Sequence, residues 1–294
     1  MNNQNITRRN FLKACGLCAV AASLPVALTG CGSSKGFKIA VPNDTTNEAR
    51  ALLLLQENGI LTLKEGVDIT ATKKDIAENP YNVEIVEVEA AQIPNVLPDV
   101  DFAVINSNYA IAAGMDPISQ SLASEGAASK YSNLLCCLEG HENDPKIQAL
   151  SAALCSRKVT DFITETYGGA VVPAVDSVIE DGLAAGVDYA SLAGQAISCA
   201  CSPAPHAEIL AVASEILAEK DITLEIKEFD DYIIPNNVVN DGTLDTNYFQ
   251  HEPYLNDFNA QNGTKVVKVA GIHVEPMGIY GGKQTSLDAL DAEN

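Results

Sequence analysis

The chain has 294 residues, of which 47% are hydrophobic and 19% are charged, and its formal net charge is −21. This balance is typical of a globular protein, long enough for two lobes, and excludes fibrous, low-complexity and disordered classes. The negative charge excludes nucleic acid as a partner, because such binding depends on Lys and Arg neutralising phosphates.

Residues 1–30 are predicted to be an export signal rather than part of the fold. They carry three basic residues and no acidic one, and an apolar run follows over 14–28. Residues 7–13 resemble a twin-arginine signal, and the four residues that end at Cys31 resemble a lipobox, which implies that Cys31 is lipidated. The alternative is an uncleaved membrane anchor, but about 15 apolar residues fall short of the roughly 20 that a spanning helix needs. Residues 31–36 then form a tether.

Five of the eight cysteines remain when Cys31 and the two in the signal are set aside. An odd number without zinc-like spacing indicates neither a disulfide framework nor a metal site. We predict that they are small buried apolar residues, since free cysteine is among the most buried types. They are Cys136, Cys137, Cys155, Cys199 and Cys201.

The first predicted lobe covers residues 37–115. It opens with an apolar run over 37–41, which predicts a buried strand, followed by a helix that begins with a capping box at Thr45 and Glu48. Short apolar runs then alternate with helical patterns, which is typical of an α/β fold with largely parallel sheets. Residues 116–128 are predicted to cross to the second lobe.

The second predicted lobe covers residues 129–285, and its last strand is expected around 274–280. Residues 174–195 within it are rich in Gly, Ala and Asp and show weak periodicity, which predicts a linker. Residues 286–294 form a C-terminal tail.

Residues 31–294 contain no enzyme signature. There is no G-x-S-x-G, H-E-x-x-H, P-loop or G-x-G-x-x-G. The four histidines have no i,i+4 pairing with each other, so a zinc site would have to arise by tertiary assembly. We predict that the protein is not an enzyme and carries neither a metal nor another cofactor.

Arg50 is the first candidate for ligand binding. It lies near the start of the first helix, where the positive end of the macrodipole disfavours a cation by roughly 0.3–1 kcal/mol. A helix N-terminus after a strand is where an α/β sheet opens its ligand crevice, and a free carboxylate held at two points by the guanidinium would offset that cost. The alternative is a solvated arginine paired with Asp44 or Glu48.

Residues 247–254 are a second candidate, because they place aromatic, amide and imidazole side chains at a strand-to-helix junction. Such a mixture suits a small amphipathic ligand, whose apolar tail contacts the rings and whose polar ends contact the amides and the imidazole. The alternative is a set of helix-capping polar groups beside core aromatics. Both interpretations stay open at this point.

Several segments together resemble the methionine-binding lipoproteins of the NlpA type, which are solute-binding subunits of methionine ABC importers. The matching segments cover nearly the whole chain after the signal. They are residues 39–56, 75–80, 89–94, 103–110, 167–171, 205–210, 247–255 and 275–280. The resemblance implies a two-lobed α/β fold of the periplasmic-binding-protein type, with a cleft that closes on one amino acid, methionine or a close analogue.

The same resemblance implies a ligand-binding role for six residues. The set comprises Arg50 for the ligand carboxylate, Asn106 and Asn133 for the amino-acid head, and Tyr232, Phe249 and His251 for the pocket wall, with the aromatic rings around the thioether. Sulfur against aromatic edges contributes only about 0.3–1.5 kcal/mol, so these residues alone do not decide methionine over leucine.

The order of the matching segments is rotated relative to the family. Its usual order begins with the segment like 205–208 and ends with the segment like 167–169, so the chain is predicted to be a circular permutant in which residues 174–195 join the original ends. In this prediction only residues 116–128 cross between the lobes. The C-terminal tail, 286–294, and the start of the first lobe then lie together beside the hinge, and the missing tether is expected to weaken binding.

The sequence thus predicts a lipid-anchored solute-binding protein on the outer face of the cytoplasmic membrane. Its expected partners are a small amino acid, an ABC transporter permease and, through the lipid on Cys31, the membrane. The alternative is a surface lipoprotein with an adhesion or signalling role on the same fold. The presence of all six matched residues favours solute binding.

Overall fold

The computed structural model describes residues 36–126 and 131–292. The predicted signal, Cys31 and all but the last residue of the tether lie outside these ranges. The α-helices of the described part are α1 (Thr45–Glu57), α2 (Ile93–Val96), α3 (Ser107–Ala112), α4 (Pro117–Gln120), α5 (Pro145–Leu154), α6 (Arg157–Tyr167), α7 (Tyr189–Leu192), α8 (Glu208–Ala218), α9 (Ile234–Asn240), α10 (Glu252–Asn262) and α11 (Ala289–Ala292). None of them is long and apolar enough to cross a membrane.

The strands of the described part form two main sheets and one small hairpin-like pair. They are β1 (Lys38–Pro42), β2 (Thr62–Leu63), β3 (Ile76–Glu78), β4 (Glu84–Val88), β5 (Phe102–Ile105), β6 (Ser121–Ser124), β7 (Ser132–Leu138), β8 (Val172–Pro173), β9 (Ala196–Cys201), β10 (Thr223–Glu228), β11 (Thr246–His251), β12 (Val266–Val274) and β13 (Gly278–Gly281). The α/β class is confirmed, and β1 and α1 lie where the first strand and the first helix were predicted.

The first sheet has the strand order β4-β1-β5-β13-β6. Its first three strands are parallel, while β13 runs antiparallel to both β5 and β6. The apolar face of α1 packs on β1 and on the hydrophobic core that includes Phe37, Ile39 and Val104. Because β1 and β5 end at the same edge, α1 and α3, which follow them, place their N-termini side by side at that edge.

The second sheet has the strand order β10-β9-β11-β7-β12-β8. The strands β10, β9 and β11 are parallel, and β7, β12 and β8 pair antiparallel. Helices α5, α6 and α8 cover one face and bury its largest core. All five cysteines of the earlier prediction are free, and four of them are buried while Cys155 is half-buried, which confirms their assignment as packed apolar side chains.

The structure corrects the predicted lobe boundaries, because β6 and β13 both belong to the first sheet. The chain therefore crosses between the sheets twice. One crossing lies between β6 and β7, and the other is the segment 275–277 between β12 and β13. The prediction of a single crossing at 116–128 is wrong: apolar alternation located the strand near 278–280 but carries no information about which sheet a strand joins.

The C-terminal tail also lies elsewhere than predicted. Strand β13 runs away from the crossing at 275–277, with Gly278 opposite Ile105 and Gly281 opposite Phe102. The tail then packs Leu290 onto the core beside Phe37. The two ends of the described chain are close, as expected, but at the edge of the first sheet remote from the crossings.

The predicted linker, residues 174–195, is packed against the second lobe. Ile179 forms a β-bridge with Ser156, and Leu183 and Tyr189 pack on the second-lobe core. A short helix, α7, ends the segment.

Candidate functional site

A pocket lies between the two sheets. Its wall combines side chains from the carboxyl ends of both sheets with the second crossing. The lining residues are Asn47, Arg50, Asn106, Ser107, Asn108, Asn133, Tyr232, Phe249, Gln250, His251, Tyr254 and Glu275. All six residues singled out from the sequence therefore line one pocket.

Arg50 is buried, with 4% of its surface exposed, and its partner is Glu125. Its Nε donates to Oε1 of Glu125 at 2.7 Å and its Nη2 donates to Oε2 at 2.5 Å. Nη2 also donates to the carbonyl of Glu275 at 2.8 Å, and the guanidinium lies 4.3 Å from the ring centre of Tyr131. The alternative interpretation, a solvated arginine paired with Asp44 or Glu48, is thus wrong. The guanidinium is bound instead by a carboxylate 75 positions further along the chain.

The first turn of α1 is organised by Asp44 rather than by the predicted Thr45 capping box. The Asp44 carboxylate accepts from the Asn47 backbone N–H at 3.0 Å and from its side-chain Nδ2 at 2.9 and 3.1 Å. Glu48 accepts from the Lys73 backbone instead. Fixing the Asn47 amide in this way turns its Oδ1 towards the pocket as an acceptor.

Asn47 Oδ1 joins the two lobes. It accepts from Asn106 Nδ2 at 3.0 Å and lies 3.2 Å from His251 Nε2 of the second sheet. His251 Nδ1 accepts from the Tyr254 backbone N–H at 3.2 Å, which assigns the imidazole proton to Nε2. Burial, followed by the Arg50 charge, holds the pKa of His251 well below its usual value, so the bridge is made by a neutral ring.

The two predicted asparagines present opposite groups. Asn106 Oδ1 is buried and has no hydrogen-bond partner among the described residues. Asn133 Oδ1 lies 3.0 Å from His206 Nε2, and a proton on that nitrogen leaves the Asn133 amide nitrogen as the donor for a ligand. The pocket therefore offers an acceptor at Asn106 and a donor at Asn133.

Aromatic rings form the apolar wall. Tyr232 lies 5.8 Å from Phe249 and 5.7 Å from Tyr254, measured between ring centres. The Tyr232 hydroxyl donates to Asn108 Oδ1 at 2.7 Å, which ties this wall to the first lobe. An unbranched apolar side chain would contact ring faces and edges here.

The segment 247–254 supports both interpretations that the sequence left open. The side-chain amides of Asn236, Asn247 and Gln250 form hydrogen bonds of 2.7–3.1 Å with one another, and His251 caps α10, as structural polar groups do. Phe249 and Tyr254, with the face of His251, line the pocket.

Glu275 is a buried acid in the pocket lining, with 5% of its surface exposed. His273 Nε2 lies 2.6 Å from Glu275 Oε1, and His206 Nε2 lies 3.4 Å from the same oxygen. Tyr248 bonds the other nitrogen of His273. Burial lowers the pKa of both histidines to about 3, while burial raises the pKa of Glu275.

His206, His273 and Glu275 are also the one group in the described part whose side chains could hold a metal ion, with ligand atoms within 4.8 Å of one another. The hydrogen bonds to Tyr248, Asn133 and Glu275 already use three of the four ring nitrogens. The cluster therefore has the donor pattern of a hydrogen-bonded network, and sequence reasoning missed it because His206 is distant in the sequence from His273 and Glu275. A histidine two positions before Glu275 at the end of a strand was the available signal.

The chain is similar to known lipoproteins. A sequence model of the family described as NlpA lipoprotein matches residues 33–175 and 197–294. Membrane lipoprotein TpN32 of Treponema pallidum (strain Nichols) is 45% identical over 141 residues, 48% of this chain and 53% of that protein. D-methionine-binding lipoprotein MetQ of Salmonella typhi is 39% identical over 139 residues, 47% of this chain and 51% of that protein.

Among solved structures, a nutrient binding protein from Burkholderia cenocepacia bound to methionine is 41% identical, with a TM-score of 0.42 over 47% of this chain and 58% of that chain. The chain spans about half the length of the curated relatives that it matches.

Proposed function

The chain belongs to the NlpA lipoprotein family, and from this premise we propose that it is a lipid-anchored solute-binding protein that captures methionine, or a close amino acid analogue, for an ABC importer. The observation that carries the proposal is the pocket between the lobes, whose lining combines the buried cation Arg50 and the amides of Asn106 and Asn133 with several aromatic rings. This arrangement matches the two ends of an amino acid with an apolar side chain.

Arg50 would hold the ligand carboxylate through one nitrogen rather than two. Its Nε and Nη2 are committed to Glu125 and to the Glu275 carbonyl, whereas Nη1 donates to none of the described residues. The two-point contact that the sequence suggested is therefore replaced by an end-on contact, supplemented by the donor at Asn133.

The name of the Salmonella relative supports methionine as the ligand and supports a binding protein rather than an enzyme. A buried pocket that retains all six matched residues favours this function over an adhesion or signalling role, which would not require a closed polar cavity.

Isothermal titration tests the function. The protein, purified from membranes in mild detergent and freed of bound ligand, is titrated with L- and D-methionine, leucine, norleucine, glutamine and lysine. We expect methionine to bind most tightly, because its unbranched tail fits between the rings and lysine would bury a charge against them. Absence of binding to every amino acid in the panel would contradict the proposal.

The proposed location is the outer face of the cytoplasmic membrane, through a lipid on Cys31, which lies outside the described residues. Replacing Cys31 with alanine should move the protein from the membrane fraction to the soluble extracytoplasmic fraction, because the diacyl anchor supplies the membrane affinity. Immunoblots of washed membranes provide the measurement, with Cys155→Ala as the control. Retention of the Cys31 variant in washed membranes would indicate an uncleaved signal instead.

We also propose that the chain is a circular permutant of its family. The family model matches two blocks whose gap, residues 176–196, nearly coincides with the predicted linker. The relatives align over about half of their length, as they would if a collinear alignment could follow only one block.

Restoring the usual order should leave ligand affinity unchanged. Both crossings between the sheets are present, so joining residue 294 to residue 36 by a short Gly/Ser bridge and opening the chain within 174–195 adds no tether. Titration of both forms with methionine gives the comparison. Tighter binding by the restored order would show that the position of the termini affects closure, and failure to fold would contradict the permutation.

A further inference from the structure

Two tyrosines exchange hydrogen bonds between the lobes. Tyr109, in α3 of the first lobe, donates its hydroxyl to the backbone carbonyl of Asp230 in the second lobe at 3.0 Å. Tyr232, two positions after Asp230, donates its hydroxyl to Asn108 Oδ1 of the first lobe at 2.7 Å. The centres of the two tyrosine rings are 5.0 Å apart. We call these two hydrogen bonds and the ring contact the tyrosine clasp.

Each half of the clasp is held in place by its own lobe. Tyr109 packs within a hydrophobic cluster of the first lobe. On the second lobe, the Asp231 carboxylate accepts from the backbone N–H groups of residues 233 and 234 at 2.7 and 2.8 Å, and the Tyr254 hydroxyl donates to the Tyr232 carbonyl at 3.0 Å. The segment that carries the acceptor for Tyr109 is therefore shaped by contacts inside the second lobe.

The clasp favours the closed arrangement of the lobes. Separating them would break both hydrogen bonds and would expose the two rings to water, whereas Tyr109 is only 8% exposed in this structure. Burial raises the pKa of both phenols, so the hydroxyls keep their protons and remain donors. Tyr232 also packs against Phe249 and Tyr254, so one ring of the clasp belongs to the aromatic wall of the pocket.

Tyr109 differs from other residues that join the lobes because it is not one of the described residues that line the pocket. Asn47 and His251, whose side chains meet at 3.2 Å across the lobes, both line it. A substitution at either of them would change the ligand contacts and the contact between the lobes together. The hydroxyl of Tyr109 can affect the ligand only through the arrangement of the lobes.

We propose that Tyr109 is a positioning residue that holds the lobes closed through its hydrogen bond to Asp230 and thereby slows release of the ligand. This inference rests on the proposed function and concerns how long the ligand is retained. A ligand enters before the lobes close and leaves after they open, so loss of this hydrogen bond raises the dissociation rate and leaves the association rate unchanged. Every ligand that the closed pocket holds should lose affinity by the same factor.

The test is the substitution Tyr109→Phe, which keeps the ring and removes the hydroxyl. Protein purified from membranes is titrated with methionine and leucine, and release of radiolabelled methionine is followed after addition of excess unlabelled methionine. We expect the affinity for methionine to fall by about fivefold, with an equal rise in the dissociation rate. The ratio of the methionine and leucine affinities should stay at its wild-type value.

Tyr189→Phe is the matched control, because the Tyr189 hydroxyl also bonds a backbone group, the Ala184 N–H at 2.8 Å, but does so within the second lobe. Tyr189 is not one of the described lining residues either. Its variant should release methionine at the wild-type rate, and urea unfolding of both variants measures what each hydroxyl contributes to stability. Equally fast release from both variants would mean that loss of any such hydroxyl loosens the protein, which would overturn the proposal.

Two further outcomes would overturn the proposal while leaving the proposed function intact. One is a wild-type release rate in folded Tyr109→Phe. The other is a changed ratio of the methionine and leucine affinities in that variant, because it would show that Tyr109 acts on the ligand contacts and not on closure. Failure of the wild-type protein to bind any amino acid would overturn both proposals together.

Discussion

Replacing Arg50 with alanine is expected to lower the affinity for methionine by at least about 100-fold, which corresponds to roughly 3 kcal/mol. Arg50 is the cation that lines the pocket, and its loss leaves the ligand carboxylate buried without a counter-charge. Titration calorimetry at a fixed ionic strength measures the effect.

The same substitution should also destabilise the protein, because Glu125 loses both of its guanidinium contacts and is only 12% exposed. The double variant Arg50→Ala/Glu125→Gln separates the two effects. Replacing Glu125 removes the carboxylate that Arg50→Ala leaves without a counter-charge. The double variant should therefore recover much of the free energy of unfolding without recovering ligand binding.

Arg157→Ala is the matched control, since Arg157 forms an ion pair with Glu180 on the surface and its side chain is 50% exposed. Such pairs contribute about 0–1 kcal/mol, so both affinity and stability should stay close to those of the wild-type protein. Wild-type affinity in Arg50→Ala would contradict the assignment of the carboxylate site, and recovery of binding in the double variant would show that Glu125 merely competes with the ligand.

The elements of this fold were predictable where local pattern decides them. The apolar run at 37–41 and the periodicity of the helix after it place Arg50 at the carboxyl edge of a parallel sheet, because a strand followed by a helix N-terminus has a fixed relation to that edge. Residues 247–254 were recognisable for the same reason: a strand that ends in a helix cap brings its last side chains to the edge where ligands bind.

Pairings between distant segments were not predictable. Glu125 holds Arg50 across 75 positions, and no periodicity links the two. Strand β13 joins the first sheet although it directly follows β12 of the second, because a short strand can pair with either edge that the crossing reaches. Glu275 escaped notice for a related reason: it lies beside His206, which is distant from it in the sequence.

Acidification below pH 6.5 is expected to destabilise the protein steeply, through the buried histidines of the site. Burial lowers the pKa of His206 and His273 from the ordinary 6.5 to about 3, and that of His251 well below 6.5. The folded state therefore keeps these rings neutral while the unfolded chain protonates them. Because the unfolded state binds more protons, stability is fully present above pH 6.5 and is lost as the pH falls towards 3.

Each neutral ring should contribute about 1.4 kcal/mol of lost unfolding free energy per pH unit below its ordinary pKa, or up to about 4 kcal/mol per unit for all three. The raised pKa of Glu275 acts in the opposite direction and offsets part of this loss as the pH approaches 4.5. Urea unfolding at pH 7, 6 and 5 measures the slope. His206→Gln and His273→Gln should each flatten it by about one proton, whatever they do to stability at pH 7.

The large negative charge of the chain affects the wild-type protein and the histidine variants alike, so it cancels when their slopes are compared. A wild-type slope in both His206→Gln and His273→Gln would mean that these rings are protonated in the folded state. Glu275 would then have a cation beside it in the folded state, because both rings lie within 3.4 Å of its carboxylate.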